Sequence, residues 1–219
     1  MNKVIGIICI LLGLAMLGGA CFLLTQNQLE EAEAERAAVN LLPQLFAEIE
    51  ENVQTKSESQ STLPSGEDVY VAPPKGMEEA VPEVTVPEME EVEIDGFAYI
   101  GYLSIPALKL DLPIMADWDY YRLRIAPCRY TGTVQGGDLV IMAHNYNSHF
   151  GRLSKLSEGD AVTFTDMNGV LTEYEVVALD ILNPDAVEEM TAGIFDLALF
   201  TCTYGGRSRV TVYCDLVKN

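Results

Sequence analysis

Positive charge is scarce in this chain: 13 Lys and Arg stand against 33 Asp and Glu in 219 residues, a formal net charge of -20. That balance excludes nucleic acid or an anionic membrane surface as the main partner. Histidine is scarcer still, with only His144 and His149. The five cysteines form no CxxC pair and no His/Cys cluster with zinc spacing, so neither a metal site nor a cofactor is expected. Their odd number prevents all five from pairing within one chain. Cys9 and Cys21 lie in an apolar N-terminal run, which leaves Cys128, Cys202 and Cys214 for the soluble part. A disulfide between Cys128 and Cys214 is open to a protein outside the cell.

What the chain does have is a sequence of distinct textures. Residues 1–26 contain the run Val4 to Leu24 without a charged side chain, about the length needed to cross ~30 Å of hydrocarbon. Lys3 before it and Glu30, Glu31, Glu33 and Glu35 after it predict a single-pass anchor in the cell membrane. The N-terminus is then cytoplasmic and the remainder extracellular. A cleaved signal peptide is the rival reading, although its apolar core is usually only ~7–15 residues. Residues 27–53 read as an amphipathic helical segment, with Leu29, Ala32, Arg36, Val39, Leu42, Phe46, Ile49 and Val53 as its stripe. Pro43 interrupts it and allows two short helices with a kink. Residues 54–95 are Ser-, Pro- and Glu-rich with few large apolar side chains, the composition of an extended acidic linker. Of the 33 acidic residues, 18 fall in 27–95, so the remaining chain is only mildly acidic.

From Gly96 to the end, short strand patterns follow one another: Ala98–Ile105, Leu139–Ala143, Ala161–Thr165, Glu173–Leu179, Asp196–Cys202 and Arg209–Cys214. Turns rich in Gly, Asn and Asp separate them, and only Asp185–Gly193 suggests a helical turn or two. The expected fold is mostly β, a closed or nearly closed barrel over 96–219 with short helices.

Three residues at strand ends invite a chemical reading. His144 follows the apolar run Leu139–Ala143, Cys202 ends LALFTC, and Arg209 opens the next strand after a Gly-Gly turn. Each alone has a plain structural explanation: a hydrogen-bonded loop histidine, a small buried cysteine, a solvated strand-edge arginine. Together they border loops that a rigid scaffold would present for function. His149 competes with His144 but lies in a polar loop away from a strand end. Arg207 competes with Arg209 but lies in the turn. Alternation puts Val210 and Val212 on the face opposite Arg209, so Arg209 is the one set above the core.

Several strings, in order across residues 100–217, resemble those of sortases. IGYLSIPALKLDLPIM is similar to the family's opening segment, and Thr131-Gly132-Thr133, Gly136-Gly137-Asp138 and Ala143-His144-Asn145 resemble the approach to its histidine. Phe150, Leu153 and Leu156 follow it, and LFTC and GGRSRVTV resemble the cysteine and arginine strands. Ala143 stands where the family often has Gly, Ala198 where it commonly has Thr, and only six residues separate Cys202 from Arg209. The His144-Asn145 pair leans toward class B.

The resemblance implies a membrane-anchored cysteine transpeptidase. Cys202 is the expected nucleophile, His144 its acid/base partner and Arg209 the oxyanion stabiliser, with Thr201 and Asn145 as substrate-binding candidates. The implied partners are secreted proteins bearing a C-terminal sorting signal of the LPXTG kind, and an amine acceptor from a peptidoglycan precursor or a pilin. A cysteine hydrolase of the cell envelope would use the same residues, distinguished by whether an added amine diverts the product. A sortase-like scaffold or pilus-assembly partner would need no such set of residues.

Overall fold

The computed structural model describes residues 2–60, 89–203 and 205–218. Nine strands carry the chain: β1 (Val92–Ile94), β2 (Phe97–Ile105), β3 (Leu110–Met115), β4 (Cys128–Thr131), β5 (Leu139–Ala143), β6 (Ala161–Asp166), β7 (Leu171–Leu182), β8 (Leu197–Cys202) and β9 (Arg209–Leu216). Their order in the sheet is β1-β2-β3-β4-β5-β8-β9-β7-β6, and a further β2–β6 pairing closes β2 through β9 into a barrel. The expected mostly-β closed barrel is the fold observed. Two neighbouring pairs run parallel, β3–β4 and β5–β8, and the others antiparallel.

Closure depends on a close approach at the β2–β6 seam. Gly101 sits at φ +144 opposite Asp166, and a Cβ there would come within 2.0 Å of the Thr165 carbonyl oxygen. Only glycine fits that crossing. Alternation then sorts the side chains. Leu103, Ile105, Leu112, Ile114, Leu139, Ile141, Phe164, Leu197, Leu199 and Val212 fill the interior, all at most 2% exposed. Each such burial stabilises by roughly 1.5–3 kcal/mol, which makes the barrel a rigid support for whatever its strand ends present.

One helix, α1 (Asn2–Gln60), precedes the barrel and runs unbroken through Pro43. The kink that Pro43 allows does not divide it. A proline inside a helix costs about 3 kcal/mol, but Leu41 and Leu45 on either side of it are buried against the barrel and offset that cost. The buried face also differs from the expected stripe. It consists of Ala34, Ala38, Leu41, Leu45 and Ile49, whereas Leu29, Val39, Phe46 and Val53 are exposed by 45% or more. Two alanines at the start of the face let the helix backbone lie close to the barrel, and small side chains are easily overlooked beside large ones. Flanking contacts add to the docking: Phe46 meets Tyr102 edge-on at 5.0 Å, and Asn52 donates to the Met167 carbonyl at 3.0 Å.

The part of α1 from Ile5 onward is long and apolar enough to cross a membrane, with a mean hydropathy of 2.7 in its most apolar stretch and none of that stretch buried. The segments expected at 1–26 and 27–53 are thus one continuous helix. The expected acidic linker is described at its two ends. α1 reaches Gln60, and residues 89–95 join the barrel through the buried Met89, strand β1 and a Glu91–Arg129 ion pair of 2.9 Å. The stretch 61–88 lies outside the described residues.

Candidate active site

Three adjacent strands bring the candidate residues together. In the parallel β5–β8 pair, Ala143 is the partner of Thr201, so His144 and Cys202 are the next residues on each chain. In the antiparallel β8–β9 pair, Cys202 is the direct partner of Arg209. Neighbouring strands lie ~4.7–4.9 Å apart, which sets Cys202 in the middle with His144 on one side and Arg209 on the other.

Alternation also puts the three on one face. Leu197, Leu199, Ile141, Ala143, Val210 and Val212 point into the barrel. Ala198, Phe200, Val140, Met142 and Tyr213 point out, and Cys202, His144 and Arg209 share their parity. All three are half-buried.

The elements around them are pinned by hydrogen bonds. The Thr201 hydroxyl donates to the Ala143 carbonyl at 2.8 Å, joining β8 to β5 one residue before Cys202 and His144. Thr201 is therefore buried and turned inward, tying the two strands together from beneath. Beyond Cys202, Thr203 N–H donates to the Ser208 carbonyl at 2.9 Å and Ser208 N–H to the Thr203 hydroxyl at 3.1 Å. This short turn holds the Cys202–Arg209 rung. Arg209 Nη1 touches only the Ser208 and Gly206 carbonyls, at 3.4 and 3.5 Å, and among the described residues no carboxylate pairs with it. Arg207, the competitor, is exposed in the turn.

The loop after His144 folds back on itself. Phe150 N–H donates to the His144 carbonyl at 3.2 Å and Gly151 N–H to the Tyr146 carbonyl at 2.8 Å. A Cβ on Gly151 would meet the Asn145 carbonyl oxygen at 2.3 Å, so the loop can close this tightly only around glycine. Asn145 is half-buried at the loop's start. His149 is wholly buried, with the Ile125 backbone beside its ring. Burial and the neighbouring His144 push its pKa down to about 4, which keeps it neutral and makes it unsuited to proton transfer near neutral pH. His144 titrates below its usual value as well, chiefly through burial; the Glu30 carboxylate opposes that shift and Arg124 adds to it.

Among the described residues, no three His, Cys, Asp or Glu side chains come together to hold a metal ion. Cys128 and Cys214 are both free and buried in different parts of the core, the first beside Met115 and Leu123, the second inside the barrel. Burial pushes each thiol up to about 12, so neither offers a thiolate. Cys202 is also free, and unlike these two it is half-buried rather than fully enclosed.

The Sortase domain family matches residues 103–217, more than half of the chain, from the last part of β2 through the end of β9. The chain belongs to the sortase family. Solved sortases share its fold. Sortase A from Corynebacterium diphtheriae is 25% identical with a TM-score of 0.51, over 56% of this chain and 62% of that one. Sortase C1 from Streptococcus agalactiae is 27% identical with a TM-score of 0.50, over 58% and 72%. This sortase thus spans less than two thirds of the corynebacterial protein. No curated protein matches it.

Two features of this sortase's site escaped the sequence reading. One is Tyr146, whose ring lies 5.0 Å from that of His144 and 5.5 Å from that of His149. Its position two residues after His144 was the available signal, but a tyrosine in a polar loop carries no mark of burial. The other is an aromatic wall on the outer face. Phe200 meets Tyr130 edge-on at 5.4 Å, and Trp118 lies 5.6 Å from Tyr130. On the other flank Phe195 stacks on Tyr213 at 4.5 Å, near Met190 of the short helix α2 (Val187–Met190). A surface hollow of about 930 Å³ is lined by Trp118, Arg129 and Tyr130 among others and contains none of the three candidates.

Proposed function

We propose that this sortase is a membrane-anchored transpeptidase that cleaves an LPXTG-like sorting signal and transfers the protein to an amine of the cell wall or of a pilin. The observation that carries the reading is the position of Cys202 between His144 and Arg209 on three neighbouring strands and one face. α1 supplies the anchor, with its N-terminus in the cytoplasm and the barrel outside.

The Cys202 thiolate attacks the carbonyl carbon of the motif's Thr or its equivalent, forming a C–S bond and an oxyanion. Arg209, permanently charged and free of any carboxylate among the described residues, stabilises that oxyanion. The C–N bond then breaks, and His144 as imidazolium delivers its proton to the departing amine. The product is a thioester on Cys202. An acceptor amine attacks it, His144 takes the amine's proton, and an amide forms as the thiolate leaves. Half-buried positions for all three residues limit the water that competes with the amine. The outer face between the Phe200–Tyr130–Trp118 wall and the Phe195–Tyr213 pair offers an apolar floor for the signal, with Asn145 at its edge.

The reading is tested by offering the full chain in detergent a panel of LPXTG-like peptides with and without an amine acceptor. An amide product that grows with amine concentration at the expense of hydrolysis establishes a transferase. Hydrolysis unaffected by any amine would establish the cysteine-hydrolase alternative instead.

A further inference from the structure

α1 does more than dock on the barrel; near its start it grips the loop that carries His144. The Tyr146 hydroxyl donates to Glu30 Oε2 at 3.0 Å. One residue along, Asn147 N–H donates to Glu31 Oε1 at 2.9 Å, and the Ser148 hydroxyl donates to the Glu31 carbonyl at 3.4 Å. Three consecutive loop residues are thus held by two consecutive helix residues. Glu30 and Glu31 follow the apolar run by only six and seven residues, about 9–11 Å at the helical rise.

Tyr146 is the centre of this arrangement. It is 5% exposed and packed between two imidazoles, with His149 as a fully buried and neutral floor and His144 on its other side. Burial and the bond to Glu30 push the phenol pKa up to about 12, so the hydroxyl stays a donor. A ring held at its base by packing and at its tip by a charge-assisted hydrogen bond has little freedom, and it passes that restraint to the imidazole against it.

We propose that α1 is part of the reaction centre of this sortase, with Glu30 and Tyr146 as positioning residues that fix the His144 imidazole. The proposal rests on the reading of His144 as the acid/base group. The charged and titratable groups around His144 are Glu30 and Glu31 of α1, Arg124 of the 3-10 turn Arg122–Arg124, Tyr146 and His149 of its own loop, Cys202 on β8 and Arg209 on β9. Of these, Glu30 favours the imidazolium and Arg124 disfavours it. An acid that must protonate a leaving amine gains from the first effect, and the helix supplies it from outside the barrel.

The chain has two histidines, one of them neutral down to about pH 4, so imidazole NMR of the full chain in detergent micelles reads His144 alone across the neutral range. Glu30→Gln keeps the shape of the side chain and removes its charge. The expected result is a His144 titration moved down by about half a pH unit and kcat lowered about tenfold with KM nearly unchanged. Tyr146→Phe keeps the ring, frees Glu30, and moves the titration in the same direction by less. Glu50→Gln, an exposed position on the same helix, leaves it where it was. A His144 titration unmoved in Glu30→Gln and Tyr146→Phe, or moved as far by Glu50→Gln, overturns the proposal. These titrations need no substrate, so failure of every peptide to react would count against the transpeptidase reading and leave the positioning result to stand or fall by itself.

Discussion

The Thr201 hydroxyl donates to the Ala143 carbonyl 2.8 Å away, and this buried bond is the last cross-strand tie before the chain presents Cys202 and His144 on neighbouring strands. It fixes the separation of the two candidate groups from beneath. Thr201→Val leaves a buried carbonyl without that donor, at an expected cost of about 1–3 kcal/mol in denaturant unfolding. It also loosens the Cys202–His144 spacing, so kcat falls. Thr201→Ser, which keeps the hydroxyl, retains most of both. Equal stability and rate for the Val and Ser variants would remove the tie from the account.

His149 sets a pH limit on the fold. Its pKa is about 4 in the folded chain and ~6.5 in the unfolded one, so the unfolded chain binds the proton first. The stability this burial contributes is complete above pH ~6.5 and is lost as the pH falls toward 4. Between pH 6.5 and 5 the loss is about 2 kcal/mol. His144, also shifted down, adds to it in the same direction. Urea unfolding of the full chain should therefore show a drop over that interval, and His149→Leu should show a shallower one. An identical slope in the variant would contradict the assignment.

The three thiols of the barrel should respond differently to alkylation. Native protein treated with iodoacetamide at neutral pH should carry the label on Cys202, while Cys128 and Cys214, buried and with pKa values pushed up to about 12, react only after unfolding. Peptide mapping separates the outcomes.

The packing of α1 is open to a direct test as well. Leu45 is fully buried between helix and barrel, and Leu45→Ala should destabilise by about 2–5 kcal/mol. Val39→Ala, on the exposed face of the same helix, should cost far less. A Leu45 variant that melts with the parent chain would mean that the helix is not docked as described.

How much of this was written in the sequence depends on the element. The long strands β2, β7, β8 and β9 were legible because alternation or apolar runs mark them, and Cys202, His144 and Arg209 stood out because strand ends beside glycine turns are where scaffolds display side chains. β1, β3 and β4 carry no such mark. β1 has three residues, β3 carries Pro113, and β4 has four residues and a bulge between Arg129 and Thr131, so none repeats long enough to show a period. The buried face of α1 was missed because Ala34 and Ala38 make close approach possible without being large, while the bulkier Val39 and Phe46 point to water. Tyr146 carries no local mark because its hydroxyl's partner, Glu30, lies 116 residues away in the chain, and no local pattern carries a contact of that range.

The measurement that reaches the centre of the account is the intact mass of the full chain after incubation with a sorting-signal peptide and no amine. The account predicts a thioester adduct of the peptide's N-terminal part, mapped to Cys202, absent from Cys202→Ala and discharged as an amide when an amine is added. Cleavage that persists in Cys202→Ala, or an adduct mapped to another residue, would contradict it.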